Sequence, residues 1–121
     1  MNELPAQLPA QLPDRLMDGI RLFNEEAWFE CHEALESIWL KSEGLEKERL
    51  HALILAAVSL HHLRNGNLKG AESVGMRAIA KLSILPAQVM GIDISIFRRD
   101  FEMYLKADGV GLPAPRIEWV K

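Results

Sequence analysis

The chain is poor in the residues that most often announce a chemistry. Among 121 residues there is one cysteine, Cys31. A single thiol excludes an internal disulfide and a cysteine-rich zinc site, and it fits a reducing cytoplasm. There is no basic excess either. The net charge of −3 argues against a general nucleic-acid or membrane-surface binder. Arg77, Arg98 and Arg99 make at most a small patch, and no helix-turn-helix signature accompanies them, so no nucleic-acid partner is expected. Long apolar runs are missing. The longest, "ALILAAVSL" at 52–60, falls far short of the roughly 20 residues that span a bilayer. It reads instead as a buried core helix. The opening "MNELPAQLPAQLP" has no basic n-region and no apolar h-region, so no signal peptide is expected and the expected location is cytoplasmic. Strand alternation is absent up to the last dozen residues.

What is present is ordinary for one globular domain: nearly half the residues are apolar and about a quarter are charged. The charge is uneven. Residues 1–60 carry 11 acidic and 5 basic side chains, and residues 61–121 carry 6 and 9. The plain reading is two halves that pack as complementary layers.

Residues 1–12, with Pro5 and Pro9, read as an irregular proline-rich lead-in. A helix is expected from about 13 to 24, with Leu16, Ile20 and Phe23 on one face. Asn24 is a place for the chain to turn. The next helix covers about 26 to 42. At about 100° per residue, Trp28, His32, Leu35, Glu36 and Trp39 share one stripe, expected to be its buried side. A third helix, about 46 to 65, is apolar nearly all round and should be central. Gly66 is a C-cap candidate, and Asn67 an N-cap for a fourth helix that ends before Pro86. Gly70, Ala71, Gly75, Ala78 and Ala80 would let that helix approach a neighbour closely. "PAQVMGID" reads as a loop. Asp93 can cap a fifth helix, about 94 to 107, with Ile94, Phe97, Phe101, Tyr104 and Leu105 inward. The tail from 109 to 121 is extended, and Ile117, Trp119 and Val120 are too apolar for water. It is expected to pack on the bundle or on a partner. The fold class is therefore an all-α, antiparallel bundle of about five helices built from helical hairpins, spanning 13–108.

Two residues on the second helix stand out. His32 and Glu36 are one turn apart and can bind one cation together. His61 and His62 sit late in the third helix and diverge by about 100°, so only one can face the second helix. Two ligands from one helix and one from the other would leave open positions, as metal catalysis requires. The other reading is a histidine and a carboxylate that satisfy each other, with the Trp39 indole donating to Glu36. Glu33, beside His32, can turn inward as a ligand or a general base. His51 is about 16 Å from His62 along the axis, too far for a shared ion. Cys31 diverges from His32, which speaks against a Cys–His dyad. Lys69 and Arg77 could assist an anion at the fourth helix's N-terminus, although surface solvation is the simpler reading.

"FNEEAWFECHEALESIW" followed by "LILAAVSLHHLRNGNLKGA" resembles the family known as domain of unknown function 309. The matching positions are Phe23, Asn24, Trp28, Phe29, His32, Glu33, Glu36 and Trp39, then His62, Gly66, Asn67, Gly70 and Ala71. "PRI" at 115–117 adds to it. The resemblance implies a small, all-helical protein and a His-x3-Glu-x2-Trp motif with a suggested metal role. It maps onto His32, Glu36 and Trp39, and selects His62 over His61. Glu26 departs from the family pattern, which has glycine in that turn. A remodelled turn, or an earlier start of the second helix, is expected there.

Two functions follow. One is a metal-binding protein with hydrolase-like chemistry, using His32, Glu36 and His62 as ligands, Glu33 as the candidate catalytic group, and Trp28, Trp39 and Asn67 in support. The metal would be zinc, iron, nickel or manganese. The other is a non-enzymatic helical interaction module, dimeric or bound to a protein partner, in which the His/Glu pair is a structural network.

Overall fold

The stretch from Leu50 to Leu60 is apolar all round, and such a helix must be covered on every side. In the computed structural model, which describes residues 12–121, it forms the middle of α3 (Gly44–Arg64). α1 (Leu12–Asn24) and α2 (Trp28–Trp39) make one hairpin. α4 (Leu68–Ser83) folds back along α3, and α5 (Ile94–Lys106) packs on α4. The protein is thus an all-α bundle of five helices among the described residues. The helix limits lie within three residues of the sequence expectation. The lead-in expected over 1–12 lies, Leu12 apart, outside the described residues. None of the described helices is long and apolar enough to cross a membrane.

The core joins all five helices. Phe23 of α1 meets Trp28 of α2 and Phe97 of α5 edge-on, with ring centroids 6.3 and 5.3 Å apart, a favoured aromatic geometry. Ion pairs from Glu26 to Arg64 and from Glu48 to Lys81 link the acidic first half to the basic second half.

α2 is rotated relative to its expected face. Its buried residues are Trp28, Cys31, Leu35 and Ile38. His32, Glu36 and Trp39 are only partly buried and lie on the flank. The expected stripe was centred about 60° too far round the helix. Cys31 and Ile38 are compact and apolar and take the centre, whereas Trp39 tolerates an edge because its ring is amphipathic.

Three corners share one backbone solution. After α1, the Glu26 N–H donates to the Phe23 carbonyl and the Ala27 N–H to the Leu22 carbonyl. After α3, Gly66 and Asn67 donate in the same way to Leu63 and His62. After α5, Asp108 and Gly109 donate to Leu105 and Tyr104. These are Schellman motifs, which need a left-handed residue at the first position past the cap. Glu26, Gly66 and Asp108 supply it, with φ of 63°, 79° and 51°. The glycine missing at Glu26 has therefore not remodelled the turn. Glutamate adopts the conformation that glycine would take.

Asn67 caps α4, its Oδ1 accepting from the Gly70 N–H at 2.9 Å. A Cβ at position 70 would lie 2.5 Å from the Asn67 side chain, so the cap requires glycine there. One turn on, Ser59 Oγ of α3 donates to the Ala71 carbonyl at 2.7 Å and ties α3 to α4.

The segment expected as a loop before α5 forms a small antiparallel hairpin. β1 (Gln88–Val89) pairs with β2 (Ile92–Asp93) across a turn in which Met90 and Gly91 both have positive φ. The tail runs back over this hairpin. Ile117 is buried, Ile92 and Trp119 form a bridge, and Trp119 remains 44% exposed.

Candidate functional site

The surface where α2 meets the C-terminal half of α3 carries most of the candidate residues. His32 Nε2 stands 3.7 Å from Glu36 Oε2, one turn along α2. Both side chains are partly open to water, at 27% and 47% exposure. The pair is therefore a flank ion pair, formed when the imidazole is protonated, and not a desolvated core network.

The third expected ligand does not join it. His62 is turned toward the start of α4, where Asn67 Nδ2 donates to its Nδ1 at 3.3 Å. The direction of that bond follows from the cap. Asn67 Oδ1 is committed to the Gly70 N–H, so its amide nitrogen faces His62. The Nδ1 lone pair of His62 is thereby occupied. His61 is the imidazole on the α2 side. Phe29 lies between it and His32, with centroid separations of 5.3 and 6.0 Å. Phe29 itself is 46% exposed. Asn65 Nδ2 donates to His61 Nε2 at 3.2 Å.

Among the described residues no three His, Cys, Asp or Glu side chains come together closely enough to hold an ion. Two ligands on one helix with an aromatic ring between them and the nearest further imidazole do not form the usual site of three or more protein ligands. As arranged, the residues do not fit a metal. Glu33, the candidate catalytic group, points to solvent on the outer side of α2.

The supporting residues have other tasks. Trp28 is buried, and the Arg64 guanidinium lies over its ring at 4.2 Å. Arg64 also reaches Glu26 at 3.7 Å. Trp39 does not donate to Glu36. Its ring lies 5.5 Å from that of His51, and the Lys47 ammonium stands 4.6 Å from its centroid. Burial, then Lys81 and Arg77, hold His51 below the usual histidine range, opposed by Glu48. Burial pushes the Cys31 thiol up to about 12, so the thiolate needed for a nucleophile is suppressed.

Lys69 lies elsewhere, in a groove of about 730 Å³ between α4 and α5 lined by Leu68, Ala71, Met76, Ile79 and Leu105 among others. None of the α2 candidates borders it. Two contacts escaped sequence reasoning. One is Arg64 on Trp28, which the position of Arg64 at a helix end did not signal. The other is Asn24, whose side-chain amide both accepts from the Ile117 N–H at 2.8 Å and donates to the Ile117 carbonyl at 3.0 Å. A motif position ninety-three residues away in sequence gives no hint of that partner.

Comparison with known proteins agrees with the motifs. The chain is similar to an uncharacterized protein of Aquifex aeolicus (strain VF5), 29% identical over 93 residues. That alignment covers 75% of this chain but only 28% of the relative, so the chain spans little more than a quarter of that protein's length. Residues 16–74, which carry Phe23-Asn24, the His32/Glu36 helix and the Gly66-Asn67-x-x-Gly70-Ala71 corner, match the family model described as domain of unknown function (DUF309).

Proposed function

We propose that the protein is a non-enzymatic helical interaction module. The observation that carries this reading is the exposed Phe29, flanked by the imidazoles of His32 and His61 on the α2–α3 surface. Aromatic side chains open to water and framed by polar groups are typical anchors of protein contacts. The length relation supports it, since a domain that fills 28% of a relative is used there beside other sequence. In this reading His32 and Glu36 set the charge of the surface.

A second reading has one observation in its favour. The i,i+4 spacing and 3.7 Å separation of His32 and Glu36 make half of a metal site. A third ligand would then have to come from a rotated His61, with hydrolase-like chemistry at the open positions.

Metal content separates the two. Untagged protein is dialysed without chelator, reconstituted with zinc, iron, nickel and manganese in turn, and compared with His32→Ala and Glu36→Gln. The interaction reading expects no stoichiometric metal, and variants that melt within about 1 kcal/mol of the parent, as for an exposed pair. Near-stoichiometric metal that both variants lose would overturn it.

A further inference from the structure

The three Schellman corners meet at one place. The ends of α1, α3 and α5 border a cleft of about 230 Å³, walled by Glu26, Trp28, Arg64, Tyr104, Asp108 and Gly109 among others. Helix C-termini carry partial negative charge, so three of them together favour a cation. The side chains add to that bias, since the two carboxylates Glu26 and Asp108 stand against the one guanidinium of Arg64.

Three observations set this cleft apart. Trp28 is 3% exposed, and its indole N–H is buried without a hydrogen-bond partner among the described residues. Buried donors are normally paired, so a donor left open on a residue that walls a cleft points to an acceptor from outside the chain. The second observation is backbone strain. Of the three non-glycine residues with positive φ among those described, Glu26 and Asp108 both stand here. Glycine is the favoured residue for that position, as Gly66 shows at the third corner. A carboxylate is thus kept twice where the backbone prefers no side chain, and strain of this kind collects at functional sites. The third is charge left unspent. Asp108 pairs with no cation among the described residues, and Glu26 meets Arg64 only at 3.7 Å.

We propose that the cleft binds a small cation of α-amino amide type, an ammonium group with a carbonyl beside it. The ammonium takes charge-assisted hydrogen bonds from Glu26 and Asp108 as acceptors. The carbonyl accepts from the Trp28 N–H after a small shift of Arg64, which lies over that ring at 4.2 Å and has a side chain 46% exposed. A metal ion does not suit these walls, because the guanidinium and the indole N–H are donors only. An anion does not suit them either, given the carboxylates and the helix ends. The volume lies below the roughly 300 Å³ at which drug-sized pockets begin, which limits the ligand to about one residue. A free amino amide and the first residue of a polypeptide share this chemistry. Phe29, His32 and His61 do not border the cleft, so its test stands apart from that of the interaction reading.

The test follows the indole N–H signals of the three tryptophans in nitrogen–proton correlation spectra of the full chain. The Trp28 signal is assigned by elimination with Trp39→Phe and Trp119→Phe. Alaninamide should shift it saturably. N-acetylalaninamide, which lacks the ammonium, should bind at least about tenfold more weakly, as expected for a lost hydrogen bond to a charged group. Glu26→Gln combined with Asp108→Asn should weaken alaninamide by the same factor, with circular dichroism establishing that the helices are intact. Trialanine amide that binds as well as alaninamide supports the site and makes a polypeptide N-terminus its source. Exclusion of the tripeptide supports the site and makes a free amide its source. No saturable shift of the Trp28 signal with alaninamide would overturn the proposal and leave water as the partner of that N–H. Equal affinity for the acetylated probe, or binding indifferent to the loss of both carboxylates, would overturn it as well.

Discussion

Glycine at position 26 should make the protein more stable than alanine there, and the size of the effect can be worked from one corner. Glu26 holds φ at 63° where α1 ends. A residue with a Cβ is disfavoured there by about 1–2 kcal/mol. Glycine is spared this, but loses more freedom on folding than alanine by roughly 0.5–1 kcal/mol. Glycine should therefore exceed alanine at this position by about 0.8 kcal/mol. Unfolding entropy near 2.1 cal/mol/K per residue makes this about 3 °C in Tm for a chain of this length. Glu26 also carries a carboxylate 3.7 Å from Arg64, with both side chains about half exposed. Such a pair contributes between about 0 and 1 kcal/mol, so the comparison that isolates the backbone is Glu26→Gly against Glu26→Ala. The mirror experiment lies at the α3 corner. Gly66 has φ of 79° and nothing within 4 Å of where a Cβ would stand, so Gly66→Ala should lose the same 0.8 kcal/mol or about 3 °C. Thermal melts followed by circular dichroism give all three values. If Glu26→Gly melts no higher than Glu26→Ala while Gly66→Ala shows its drop, the left-handed assignment of Glu26 is wrong.

Cys31 should resist iodoacetamide at pH 8 in the native protein and react fully in concentrated guanidinium, because burial holds its thiol near 12. Rapid native labelling would contradict that burial. The same shift is upward, so its contribution to stability is present below the unfolded thiol value near 8.5 and is lost as pH rises toward 12. His51 is shifted downward, so its neutral form favours folding above the ordinary histidine range, and stability should fall as pH drops below about 6.5. Denaturant melts between pH 7 and 5 should show a shallower fall for His51→Gln, and an unchanged slope would refute the assignment. Asn67→Ala should cost about 1 kcal/mol through loss of the α4 cap. Asn67→Asp should retain most of it, and equal losses in the two variants would show that the cap is not what Asn67 contributes.

The bundle was legible because its signals are local. A helix that is apolar all round, a Gly66-Asn67 stop and start, and an Asp93 cap need no knowledge of partners. Two features were not legible, for a physical reason in each case. The hairpin at 88–93 turns through Met90 and Gly91 with both φ positive, a turn type normally marked by asparagine or aspartate before glycine. Methionine gives no such mark. The face of α2 was misplaced because Trp39 drew the expected stripe toward His32 and Glu36. Aromatic size suggests burial, but Trp39 spends one side of its ring on Lys47 and His51 at the surface. The compact pair Cys31 and Ile38 held the true centre.

That rotation decides how the motif should be understood. Phe23 fills the core, Asn24 holds the tail, Asn67 caps α4, Gly70 makes room for that cap, and Ala71 receives Ser59. Each has a task that the fold itself requires. His32, Glu33 and Glu36 have none of comparable size. They lie on or beyond the flank of α2, and an exposed or half-exposed pair contributes at most about 1 kcal/mol. Had His32 and Glu36 been buried, as the stripe first suggested, their need to satisfy each other inside the core would have been a sufficient reason for the pairing. On the flank, beside an exposed Phe29, they are free of structural duty. Under the proposed interaction reading a partner on α2 meets these side chains, and Phe29→Ala should weaken that contact while lowering the melting temperature by no more than about 6 °C, since the half-covered ring has about half of a full Phe burial to lose. A larger drop in Tm would return Phe29 to the core and remove the surface on which the interaction reading stands.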